Sequence, residues 1–193
     1  MDMHVHLTSD PTVSRSERLS QSVPRMAIKA AHFAKKTLLA GFTTLRNVGA
    51  EGYSVIAVRD GINAGDIVGP RIWAAGPSLG ITGGHCDNNR LPPELKYTST
   101  GVADGPWAAR VKVRENIKYG ANAIKFCATG GVFYKGTKAG VQQYSFEEMK
   151  AIVDEAPIGY IPAPNLTPNG PAADYTDEDW AGAIRQGVAK NGR

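Results

Sequence analysis

Two histidines one residue apart, His4 and His6 in MDMHVHL, are the first residues in this sequence whose types and spacing suggest chemistry. On a strand, positions i and i+2 share a face, so HVH projects both imidazoles together while Val5 points the other way. Two converging neutral imidazoles are half of a metal site. The bland alternative is one hydrogen-bonded core histidine beside one solvated histidine. A second unusual residue is Lys125, in the middle of the apolar run AIKFCA. Burying an ammonium there costs several kcal/mol or drives its pKa down. An acid on a neighbouring strand, an edge position that protects the sheet from pairing, or a neutral, chemically modified amine acting as a metal ligand would each account for it. Thr129, Gly130 and Gly131 follow directly, and the two glycines permit close backbone approach to a ligand or suit a tight turn. Cys86 and Cys127 lie in neither a CxxC nor a CxxCH, so no disulfide framework, thiol zinc site or haem-attachment motif is expected.

The elements that must position these residues alternate. HVHL (4–7) reads as a strand. Ser22 and Pro24 open a helix that stops at Gly41, TTLRNV (43–48) is a second strand, and SVIAVRDGINAG carries a helical apolar side. RIWAAG (71–76) is a third strand. The irregular stretch 77–105 is too long for a simple connection and is either functional or mobile. Pro106 begins a helix ending at Gly120, AIKFCA (123–128) is a fourth strand, and Ser145 with Glu148 forms a capping box for a last helix. This β-α order predicts parallel strands with helical crossovers, in either a barrel or a doubly wound sheet, with ligands at the C-terminal strand ends.

Composition narrows the class. With 42% hydrophobic and 21% charged residues in 193, the chain is an ordinary globular one. A net charge of +4 with scattered basic residues and no basic stripe argues against nucleic acid. No apolar run is long enough to cross a membrane and no export signal is read, so a cytoplasmic location is expected. Near Ala156 the character changes: residues 157–193 hold five of the twelve prolines. There a Pro-rich loop and one helix, with Thr176 as N-cap and Trp180, Ile184 and Val188 on one side, are expected.

MDMHVHL, TTLRNVG, GPRIWAAG, TGGHCD, IKFCATGGV and YSFEEMKAIVDEA, in that order over residues 1–156, resemble the metal-dependent amidohydrolase superfamily, particularly its Xaa-Pro dipeptidase-like and imidazolonepropionase-like branch. The resemblance implies an α/β fold that is part of a (β/α)8 TIM barrel, about four units of it here. It also implies a divalent metal, usually zinc, at the barrel mouth. His4 and His6 map onto the metal-binding HxH, and Lys125 maps onto a carboxylated lysine ligand. His85, in the loop after the third strand, maps onto a substrate-contacting histidine; Thr129, Gly130 and Gly131 are substrate-binding candidates through the close backbone approach noted above. Arg46-Asn47 departs from the family's Arg-Asp, so a carboxylate that would orient a ligand is missing. The implied reaction is hydrolysis of an amide or peptide C–N bond in a small amide or dipeptide.

A full barrel takes about 250 residues, and the family's later metal histidines and catalytic aspartate have no counterpart, so no catalytic acid–base residue is assigned and a truncated, inactive chain is expected. A half barrel leaves strand edges open, which favours self-association. Residues 157–193, with APNLTP and YTDEDWAGAIRQGVAKNGR, resemble a c-type cytochrome segment without its haem ligands, so no haem is expected and the chain reads as a chimera. The competing functions are a non-catalytic α/β binding module and, more remotely, an electron-transfer fragment.

Overall fold

A computed structural model describes residues 1–132 and 134–156; the Pro-rich loop, helix and cytochrome-like stretch read at 157–193 lie outside the described residues. Three parallel strands form one sheet in the order β1 (Asp2–Val5), β2 (Thr44–Asn47), β3 (Arg71–Ala74). Among the described residues five α-helices accompany them: α1 (Arg15–Leu19), α2 (Val23–Leu39), α3 (Ser54–Ala64), α4 (Pro106–Lys118) and α5 (Phe146–Glu155).

The helix starts follow the sequence signals. Ser22 caps α2 by accepting from the Arg25 amide, with a proline in the first turn, and Ser145 and Glu148 make the reciprocal capping box of α5. Small residues Ala30 and Ala34 of α2 and Val55, Ile56 and Val58 of α3 pack against Leu45, Ile72 and Ala74 of the sheet. Each of the larger aliphatic side chains contributes roughly 1.5–3 kcal/mol by leaving water. A second cluster, Leu79, Ala109, Val113, Tyr144 and Ile152, joins α4 and α5 to Ile124 and Phe126. Arg46 and Trp73, paired across β2 and β3, alternate with the buried residues; Trp73 is 45% exposed.

Three expectations are corrected. The first strand ends at Val5 rather than Leu7, and it carries one more residue than β2 between the paired positions Asp2↔Leu45 and Val5↔Asn47. Such a bulge re-aims side chains. The fourth strand is not a continuous ladder. The amide of Asn122 donates to Ala74 O, and Leu79 and Lys125–Cys127 exchange two bonds, Leu79 N to Lys125 O and Cys127 N to Leu79 O, both 2.8 Å. Between these contacts Gly76 (φ +68°) and Pro77 break the line of β3, so 122–127 pairs with two separate pieces of chain. Finally, Cys86 and Cys127 are disulfide-bonded, with Cα atoms 6.0 Å apart. Spacing along the sequence carried no sign of this bond, because the fold brings together residues 41 apart.

Candidate functional site

His4, His6, His85 and Lys125 line one cavity of about 780 Å³, together with Cys86 and Cys127. Val5 packs against the helix-side core, which turns His4 and His6 to the opposite face, their ring centroids 5.4 Å apart. Ile124 and Phe126 pack towards α4 and α5, so strand alternation sends Lys125 and Cys127 into the cavity. Thr129, Gly130 and Gly131 are not among the lining residues.

His6 is held from behind. Its Nδ1 lies 3.0 Å from Gly49 O, a pairing in which the ring nitrogen donates and Nε2 keeps its lone pair. The amide of Asn47, fully buried, donates to the same Gly49 carbonyl at 3.2 Å and accepts from the Leu7 amide at 2.9 Å. Asn47 therefore ties the end of β1 to the turn after β2 on both sides of His6. The residue that departs from the family's Arg-Asp pattern has an orienting role of its own, through a donor that a carboxylate lacks.

Lys125 is half-buried, and burial followed by the nearby Arg46 guanidinium pushes its amine below the usual lysine range. Among the described residues no carboxylate pairs with it, so the ion-pair explanation of a mid-strand lysine finds no support there. His4 is lowered by burial and then by Lys125, His6 and Arg46, against a smaller opposing effect of Asp2. His85 is lowered by burial, then by Lys125 and His6. Lys125 and His6 thus each lie within electrostatic reach of His4 and of His85.

The irregular stretch after β3 is organised around the cavity. Asp87 accepts from the amides of Gly83, Asn88 and Ser99, and its carboxylate is thereby committed to holding the loop. The His85 amide donates to Gln143 Oε1, and its ring meets Tyr134 edge-on at 4.4 Å between centroids. The Nδ1 atom of His85 is buried without a hydrogen-bond partner among the described residues. A Cβ at Gly131 would overlap the His85 imidazole, so the close approach that this glycine permits is to the histidine ring. The sequence reading missed α1, which supplies Arg18 and Leu19 to the cavity; five residues with one capping serine give little periodic signal. It also missed Asn47 and Tyr134 as contributors, since neither type announces a role by spacing.

Two imidazoles with one ring nitrogen set by a backbone carbonyl, beside an amine disfavoured as a cation, suit three positions of a divalent-metal site. Among the described residues no group of three or more His, Cys, Asp or Glu gathers to complete one.

A sequence profile described as the Amidohydrolase family matches residues 1–157. Ochratoxinase from Aspergillus niger is 32% identical over 173 residues, covering 80% of this chain and 35% of that protein. The crystal structure of a Xaa-Pro dipeptidase with bound methionine in the active site superposes with a TM-score of 0.63 at 35% identity, covering 80% of this chain and 39% of the other. A prolidase complexed with N-methylphosphonate-L-proline gives 0.68 at 33% identity, with the same coverage of each chain. The parallel sheet and its helices match part of the α/β scaffold of these relatives. This chain belongs to the amidohydrolase family, and it spans well under half the length of these relatives.

Proposed function

We propose that this chain is part of a metal-dependent hydrolase of amide or peptide C–N bonds acting on a small amide or dipeptide. One observation carries the reading: a half-buried lysine beside another cation, Arg46, lines the same cavity as an HxH pair. Carboxylation of the Lys125 amine by carbon dioxide forms an N–C bond and releases a proton, converting a position repelled by Arg46 into an anion attracted to it. His4, His6 and carboxylated Lys125 would then hold a divalent metal, most suitably zinc given two imidazoles and a carboxylate-type oxygen. When bound, the metal supplies a more acidic water and polarises the scissile carbonyl.

The chain's own residues bind and orient. Asn47 and Gly49 fix the His6 ring, and Tyr134 and Gly131 fix His85, whose imidazole burial biases towards its neutral form and whose Nδ1, unpartnered among the described residues, can exchange a hydrogen bond with a substrate amide. The cavity is within the range of about 300–1,000 Å³ typical of small-molecule sites. No residue of the chain is assigned as the acid–base group. The three strands and the 122–127 segment are read as the first four strand positions of a (β/α)8 barrel, with a domain boundary near Ala156, where the composition changes. The open face and the outer edge of β1 favour self-association.

Elemental analysis of the purified chain tests this reading. Stoichiometric zinc, removed by chelator, regained on metal addition and lost in the His4→Ala/His6→Ala double variant, is expected. Dipeptide hydrolysis by this chain alone is expected to be slight. A chain that takes up no metal at carbonate-supplemented neutral pH would overturn the metal site, and rapid chelator-sensitive turnover would overturn the inactivity.

A further inference from the structure

We propose that the Cys86–Cys127 disulfide is a redox-sensitive clamp that positions His85 against Lys125, so that the cavity is assembled only while the bond is oxidised. What the assembled cavity binds rests on the function proposed above; the clamp itself stands on connectivity. Cys86 directly follows His85, and Cys127 lies two residues beyond Lys125, so a single covalent bond joins the two segments that deliver these side chains. Both cysteines line the cavity.

The bond sits beside an isolated two-bond bridge. The 123–128 segment pairs in parallel fashion with the chain after β3 only through the isolated bridge Leu79↔Phe126, carried by the two bonds between Leu79 and Lys125–Cys127. Two-bond bridges open more easily than ladders. The loop that carries His85 is held to the rest of the molecule by the Gln143 side chain, by the Asn89 contact to Lys135 O and by this disulfide, and closed on its own far end by the Thr82–Asp104 and Gly80–Ala103 bonds. Gly80 also packs beneath Cys86, where a Cβ would come within 2.7 Å of the cysteine Cβ. Of these ties only the disulfide connects the loop to the Lys125 segment covalently.

Access permits exchange. Cys86 is partly exposed at the cavity wall, whereas Cys127 is buried. The thiolate of a low-molecular-weight thiol attacks Sγ of Cys86; the S–S bond breaks and the Cys127 sulfur leaves with the electron pair and takes up a proton. A second thiol resolves the mixed disulfide. Overall two small thiols become one small disulfide, and the protein gains two electrons and two protons.

The test uses the full 193-residue chain equilibrated in reduced or oxidised glutathione. Alkylation and intact mass report the bond, and hydrogen exchange reports segments 79–88 and 123–128 against β2 as internal reference. The proposal expects both cysteines to resist alkylation in the oxidised chain. On reduction, exchange in the two segments should rise on the order of tenfold or more while β2 is unchanged, and the Cys86→Ser/Cys127→Ser variant should match the reduced chain. Free thiols that never pair in oxidised glutathione, unchanged exchange on reduction, or equal acceleration in β2 would each overturn it. Zinc uptake is read in parallel. If neither state binds zinc but the exchange difference appears, the clamp holds and the metal reading fails; zinc uptake with no exchange difference has the opposite meaning.

Discussion

Replacing Asn47 by alanine should both destabilise the protein and release the His6 ring. The mutation deletes an acceptor for the Leu7 amide, 2.9 Å away in a buried environment, and a donor to Gly49 O at 3.2 Å. A buried N–H left without a partner costs about 1–3 kcal/mol, and the second bond contributes about 0.5–1.5 kcal/mol. Gly49 O keeps His6 as a partner, so the second loss is at the low end. The expected total is about 1.5–3.5 kcal/mol, which for a chain of this size lowers Tm by roughly 3–14 °C. Urea denaturation of chelator-treated protein measures the first effect, and nitrogen-15 NMR of the imidazoles measures the second, as a shift of His6 away from a single Nδ1–H tautomer. Asn47→Asp keeps the acceptor but sets a carboxylate oxygen against the Gly49 carbonyl in a fully buried position, so it should destabilise at least as much as alanine while still disturbing the His6 tautomer. An alanine variant within about 0.5 kcal/mol of wild type, with the His6 tautomer unmoved, would refute the claim that Asn47 orients this ring.

Other outcomes follow from single contacts. Gly131→Ala should displace His85 and cost about 1–3 kcal/mol by overpacking, seen as a lower Tm and as loss of the His85–Tyr134 ring contact in NMR; an unchanged melt argues that the ring is not packed on that backbone. Tyr144→Phe removes the bond from a fully buried hydroxyl to Ala103 O and should cost about 1 kcal/mol by denaturation. Asp10 is held at about 2 by hydrogen bonds from Thr12 and then by Lys29. Because its folded value lies below its unfolded value, its contribution is complete above the ordinary carboxylate range and is lost as pH falls towards 2; the wild-type advantage over Asp10→Asn should shrink over that window, and a constant difference would count against it.

Much of the scaffold was legible because local chemistry and tertiary structure agree. Ser22, Pro24, Ser145 and Glu148 mark helix ends through bonds made within one turn, and HVH and IKFCA reveal their faces by period-two alternation. What was not legible is long-range. The break of β3 at Gly76–Pro77 turns an apolar run that reads as a strand into a two-bond bridge. The disulfide, the Asn47–Gly49–His6 arrangement and the packing of Gly131 on His85 all depend on residues tens of positions apart meeting in space. Asn47 is instructive: against a family pattern it reads as a loss of orientation, yet in place its amide makes two bonds that together frame the histidine.

The central claim is that His4, His6 and Lys125 share one cation. An anomalous difference map at the zinc edge, from crystals of this chain grown with zinc and bicarbonate, tests it most directly. The account predicts one strong peak about 2 Å from an imidazole nitrogen of His4, from Nε2 of His6 and from added density on the Lys125 amine. Zinc bound elsewhere, or an empty cavity with Lys125 unmodified, would contradict it.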